Sequence, residues 1–205
     1  MKETEERLYD AALTLFAEKG YEAASVREII EATGVTRPVL YYYCASKEDL
    51  FKRIVRWKHD AAYLHLVEAL RVAGSCVEQL RTIARGSFAF CAADPRAARL
   101  MFQTQFGPRI PGIGEFMDEI AGLRFQLVCG VMHQGLQAGQ MRGGEATGLA
   151  LAFCCLIDQH LNVLARQPEA ARLLSAERAD GLVDLFLHGA GSGRRVGFHL
   201  PGLGE

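Results

Sequence analysis

The sequence predicts an all-α fold of about nine helices, with a small N-terminal helix-turn-helix domain followed by a larger helical domain. Three observations carry this prediction. Apolar residues recur at three- and four-residue spacing along most of the 205-residue chain. Clusters of glycine and proline separate the periodic segments, and no segment alternates apolar and polar residues for long enough to build a sheet.

The first helix carries Leu8, Ala11, Ala12, Leu15 and Phe16 on one face and ends near Lys19, where Gly20 supplies a left-handed stop. Ser25 to Glu28 has the form of a capping box, and Val26, Ile29 and Ile30 give a second, short helix its apolar face before Gly34 ends it. Thr36 can cap a third short helix. Pro38 falls in the first turn of that helix, where its missing N–H would have had no intrahelical partner. The helix breaks at Cys44 and Ala45. Ser46 to Asp49 then caps a long fourth helix that carries Leu50, Ile54, Trp57 and Leu64. Two short helices about a glycine turn, supported by a preceding helix, form a helix-turn-helix.

Beyond residue 72 the periodicity predicts helices over 76–93, 95–106, 114–138, 144–167 and 176–190. The breaks fall at Gly74, Asp94-Pro95, Gly107-Pro108, Pro111-Gly112, Gly143-Gly144 and Pro168. The resulting division is a helix-turn-helix domain at 1–46, a second helical domain at 47–190 and a glycine-rich tail at 191–205.

Composition excludes several classes. The net charge is −1 and the pI near 6.6, so any nucleic-acid role must rest on a local patch. The N-terminus is too acidic and polar for a signal or transit peptide, and the longest apolar run, Leu149 to Ile157, is short for a membrane span; a cytoplasmic protein with no membrane partner is expected. Six cysteines are scattered with no CxxC and no spacing suited to zinc, so neither a metal site nor a disulfide framework is expected. The sequence holds no phosphate-binding loop, dinucleotide fingerprint, nucleophile elbow or HExxH, which argues against an enzyme and against a cofactor.

The stretch GVTRPVLYYYCASKEDL, Gly34 to Leu50, holds the sharpest functional signal. At about 100° per residue, Leu40 and Cys44 share one side of the third helix while Pro38 and Tyr42 lie opposite. A major groove accepts a helix, and arginine can pair bidentately with guanine, so Arg37 is the candidate base reader. Pro38 and Val39 offer apolar surface to thymine methyl groups, while Tyr41 and Tyr42 can donate to phosphates. Lys47, at the start of the fourth helix, and Ser25 with Arg27, at the start of the second, are further candidate contacts. From Arg27 to Lys58 seven cations face four carboxylates, a local basic excess in a near-neutral chain.

Residues 7 to 54, above all LYDAALTLFAEKGYEAASVREIIEATGVTRPVLYYYCASKEDLF, resemble the N-terminal DNA-binding domain of the TetR (tetracycline-repressor-like) transcriptional regulators. The resemblance covers about a quarter of the chain and implies DNA contacts at Ser25, Arg27, Thr36, Arg37, Pro38, Tyr41, Tyr42 and Lys47. Three residues depart from the family pattern. Tyr43 replaces a usual histidine, Cys44 a bulky residue and Pro38 a common small one, which bears on how the third helix packs and which operator it prefers.

The resemblance also implies that the rest of the chain binds a small effector and dimerises. Candidate ligand residues are Trp57, His65, Met101, Phe102, Phe106, Phe125, Met132, His133, Phe153 and Asp158: soft or aromatic side chains, and polar ones set in apolar helices. Plain core packing is the competing account of the apolar ones. Leu149 to Ile157 is apolar on every side and needs cover on more than one face. With the last helix it suggests a two-fold four-helix interface built from Phe153, Ile157, Leu161, Leu182, Val183 and Phe186. The expected partners are double-stranded operator DNA, an apolar effector and a second copy of the chain, the expected action repression. A thiol redox sensor at Cys154-Cys155 and a helical protein-interaction module are the alternatives.

Overall fold

The structure is a computed structural model that describes residues 2–142, 144–167 and 170–189. Among the described residues the chain is all helical: α1 (Lys2–Lys19), α2 (Val26–Thr33), α3 (Arg37–Tyr43), α4 (Lys47–Val72), α5 (Cys76–Ala93), α6 (Pro95–Gln105), α7 (Ile113–Gln137), α8 (Ala146–Leu164), the single turn α9 (Ala170–Leu173) and α10 (Ala176–His188). Periodicity located every helix but α9, which is too short to show a period. Gly143, Pro168 and the tail expected over 191–205 lie outside the described residues.

The helices fall into two compact units, one of residues 1–63 with 94–122 and the other of 64–93 with 123–205. The expected boundary at 46/47 therefore lies inside the first unit, because α6 joins α1 through contacts far apart in sequence. Arg96 is the hub of that joint. Its guanidinium donates to Asp10 at 2.7 Å, to Thr14 Oγ1 at 2.7 Å and to Asp94 at 3.0 Å, and Lys58 approaches Asp94 at 2.9 Å. Gln103 adds a bond to the Phe16 carbonyl at 2.8 Å.

Burial alone would raise the Asp94 pKa, but hydrogen bonds from Arg96 and Lys58 hold it down at about 2. A depressed carboxylate stabilises the fold above its unfolded range and loses that contribution as pH falls from about 4 toward 2. Asp94→Asn should therefore flatten the acid limb of a Tm-against-pH curve over that window. An unchanged acid limb would show that other carboxylates set it.

The first unit's core is aromatic. Phe16 and Phe51 are fully buried with ring centroids 5.7 Å apart, and Tyr21 packs edge-on against Phe51 at 5.4 Å. Leu8, Ala12, Leu13, Ile29, Leu40, Leu50 and Ile54 complete it, drawing on α1 to α4.

In the second unit α5, α8 and α10 pack together, and Arg81 and Arg85 of α5 pair with Asp184 and Asp180 of α10. Five of the six residues expected at a dimer interface lie inside this unit. Phe153, Ile157, Leu161, Leu182 and Val183 are already buried within one chain, covered by its own helices, while Phe186, edge-on to Phe153 at 5.3 Å, is half-buried. The uncovered side of α8 instead presents Gly148, Leu151, Ala152, Cys155 and Gln159, with Leu151 57% exposed. By length and mean hydropathy α8 is apolar enough to cross a membrane, which its short uninterrupted apolar run did not suggest. One of its faces packs on α5 and α10, and it carries the ion-paired Asp158.

Candidate nucleic-acid interface

The α2–turn–α3 geometry is set by local chemistry. Ser25 and Glu28 form a complete capping box, with Ser25 Oγ accepting from the Glu28 N–H and Glu28 accepting from the Ser25 N–H at 2.9 Å. Lys19 of α1 pairs with Glu28, and that bond, with the Ser25 contacts, pulls the Glu28 pKa to about 2. Gly34 closes α2 at φ 68°, a left-handed position that favours glycine. Arg7 of α1 donates to the Thr33 carbonyl at 3.1 Å, satisfying one of the last carbonyls of α2. Ser25→Ala should lower stability by about 1 kcal/mol, read as a shift in the urea midpoint; no shift would mean that the Glu28–Lys19 pair holds this end of α2 alone.

Helix α3 divides sharply. Leu40 is fully buried and Cys44 2% exposed, whereas Tyr42 is 72% exposed and Thr36, Arg37, Pro38, Val39 and Tyr41 all face outward. Cys44 donates its Sγ–H to the Leu40 carbonyl at 3.5 Å, and burial pushes its thiol up to about 11. The Thr36 hydroxyl makes no capping bond. The Arg37 guanidinium lies 5.9 Å from the Tyr41 ring centroid, and Tyr42 and Tyr43 meet edge to face at 5.2 Å. These contacts stiffen the outward side chains without hiding them.

The flanking candidates are more occupied. Arg27 pairs with Glu31 at 2.7 Å but stays almost wholly exposed. Lys47 sits over the Tyr21 ring at 4.4 Å and donates to the carbonyls of Glu22 and Ala24 at 3.2 and 2.9 Å. An ammonium has three donors, so one remains for a phosphate while two fasten the α1–α2 loop. Nothing in the sequence around Lys47 signals carbonyl partners more than twenty residues away.

The expected ligand residues do not form one cluster. Trp57, Met101, Phe102 and Phe106 belong to the first unit, the other six to the second. Trp57 packs on Tyr9 at 5.8 Å, with Lys58 above its ring at 4.5 Å, and Phe102 stacks on Phe106 at 6.1 Å. His65 and His133 are exposed, so water can satisfy them and neither needs a ligand. Met132 and Phe153 are fully buried and Phe125 half-buried. Asp158 has a partner that sequence reasoning missed, Arg124 of α7, whose Nη2 donates to both carboxylate oxygens. A lone arginine inside the apolar α7 was the available signal.

The first unit also holds an open groove of about 830 Å³ lined by Asp49, Lys52, Arg53, Arg56, Gly112, Glu115, Phe116 and Glu119. Its charges are balanced, and each cation already has an acidic partner: Glu48 for Lys52, Asp49 for Arg53 and Glu119 for Arg56.

The profile of bacterial regulatory proteins of the tetR family matches residues 8–54, which run from α1 into α4. The HTH-type transcriptional activator FasR of Mycolicibacterium smegmatis is 31% identical over 100 residues, covering 49% of this chain and 46% of FasR, so less than half of that regulator is matched. Among solved structures, FadR from Bacillus subtilis in complex with stearoyl-CoA is 20% identical and superposes with a TM-score of 0.79 over 91% of this chain and 99% of FadR. AibR in complex with isovaleryl coenzyme A and operator DNA, also 20% identical, has a TM-score of 0.73 over 90% and 98%. At these identities the structural likeness is one of fold.

Proposed function

Because the chain belongs to the TetR family of transcriptional regulators, we propose that it binds a palindromic operator as a homodimer, represses transcription there, and is released by a small, largely apolar effector. The carrying observation is the outward face of α3, where Arg37, Pro38, Tyr41 and Tyr42 stand exposed above the buried Leu40. An aromatic and cationic face of this kind is costly in water alone and fits a major groove.

Dimerisation has support in the bare apolar side of α8, and a two-fold axis there would set two α3 helices about 34–36 Å apart, one turn of DNA, or a multiple of it. The effector reading draws on the acyl-CoA complexes of FadR and AibR, which share this fold. A fatty acyl chain or its thioester is the effector class proposed. Helix α4 begins with Lys47 in the first unit and ends in the second, so an effector that prefers one tilt of α4 would alter the spacing of the two heads. A typical coupling of about 1–3 kcal/mol would change DNA affinity about 5- to 150-fold.

Selection of bound sequences from a random DNA pool, followed by mobility shifts across a salt series, tests the DNA reading. A palindrome whose affinity falls steeply with salt is expected; an absent or salt-insensitive shift would favour a protein-interaction module. Arg37→Ala should cost about 1–3 kcal/mol and relax preference at one base position per half-site. Lys47→Ala should weaken binding to all sequences alike and also lower Tm, because the α1–α2 loop loses two donors. A reporter fused to the selected promoter gives the sign of regulation; expression that falls when the chain is deleted would replace repression with activation. The redox alternative is weakened at Cys154, where burial pushes the thiol up to about 11, far from a reactive thiolate.

A further inference from the structure

The second unit contains a desolvated ion pair that the DNA-binding reading does not use. Arg124, midway along α7, reaches Asp158 on α8, and the two side chains are only 20% and 23% exposed. Burial pulls the Arg124 pKa down, but Asp158, together with Cys154 and Cys91, outweighs it, so the guanidinium pKa is raised on balance. Cys91 of α5 and Cys154 of α8 both lie within its field, and burial pushes the Cys91 thiol up to about 12.

Such a pair is a weak source of stability, since the cost of removing both charges from water offsets most of their attraction. Its geometry is also incomplete. Only Nη2 of Arg124 is engaged, although a guanidinium offers five donors and a carboxylate can take a parallel fork; Nε and Nη1 have no protein partner among the described residues. One turn beyond Asp158, on the same side of α8, Asn162 carries a buried Oδ1 that likewise has no partner. Two neighbouring polar groups inside one helical unit thus have unused hydrogen-bonding capacity, one as donor and one as acceptor.

We propose that Arg124 anchors the oxyanion head of an apolar-chain effector, with Asp158 as the intramolecular counter-ion that the head displaces. Asp158 is the partner that the guanidinium has within the chain. An entering oxyanion takes the free Nε and Nη1 donors as a fork, and Asp158, already in partial contact with solvent, turns outward. The exchange swaps one ion pair for another, so selectivity comes from the head group and affinity from burial of the chain. Since α7 and α8 each contribute one member, the exchange alters what holds these two helices together. The proposal deepens the effector reading above and rests on it.

The test is calorimetric titration of the full chain, without DNA, against decanoate, decanoyl-CoA and decanol. These share one chain length and differ in carrying a carboxylate, phosphates or no anion. The wild-type chain should bind at least one anionic probe tenfold or more tightly than decanol, and the preferred probe identifies the oxyanion. Arg124→Gln should abolish that preference while leaving decanol binding unchanged, and Arg124→Lys should retain part of it. Asp158→Asn should tighten the anionic probe several-fold by removing the competitor. Because a single substitution can unfold the site, the double variant Arg124→Gln/Asp158→Asn, which leaves no buried charge, is measured beside it and should bind decanol only. Equal binding of all three probes by the wild-type chain, binding of none, or an anion preference that survives Arg124→Gln overturns the proposal. None of these results bears on operator binding, which the mobility shifts read separately.

Discussion

Replacing Phe51 with alanine should lower the stability of the first unit by about 3–5 kcal/mol, the usual cost of emptying a fully buried aromatic site. The ring is completely inaccessible and meets Phe16 of α1 and Tyr21 of the α1–α2 loop at 5.7 and 5.4 Å. It therefore joins α4 to the elements that position α2 and α3. Few of its neighbours can collapse into the space, because Tyr21 is held from above by Lys47. The functional consequence should be loss of DNA binding with no DNA contact removed. Urea unfolding followed by circular dichroism gives the energy, and mobility shifts on the same samples give the affinity. A loss under about 1 kcal/mol would mean that the aromatic cluster does not hold the head together.

A second large effect is expected at Asp158. Asp158→Leu leaves the Arg124 guanidinium without its carboxylate in a site only about one-fifth exposed, and removing one member of a buried pair costs about 3–5 kcal/mol. Adding Arg124→Met removes the stranded charge as well, so the double variant should recover most of the lost stability. The comparison is a double-mutant cycle of urea midpoints. If the two single substitutions simply add, the pair is not coupled and the site is wetter than its exposure implies.

These two residues mark the limits of sequence reading. Phe51 is legible as one more apolar residue in a periodic helix, but its partners Phe16 and Tyr21 lie 35 and 30 positions away, and spacing does not reveal them. Asp158 stands out as a charge inside an apolar segment. The same reasoning applied to α7 would have singled out Arg124, yet spacing cannot show that residues 34 apart face one another. Histidines 65 and 133 show the opposite error: a polar residue in an apolar-looking helix sits on the exposed side, where it needs no partner. Helix α8 is apolar on several sides, and its own chain covers one of them. Which side that is cannot be read from spacing, and five of the six expected interface residues are inner ones.

The sequence by itself determined the helices, their caps and the outward face of α3, because capping, glycine stops and the 3.6-residue period act over a single turn or two. Only the tertiary structure decided that Arg96 binds α6 to α1, that two donors of Lys47 serve carbonyls of the neighbouring loop, and that Arg124 meets Asp158. Those contacts join charges distant along the chain, and their pairing depends on how whole helices pack.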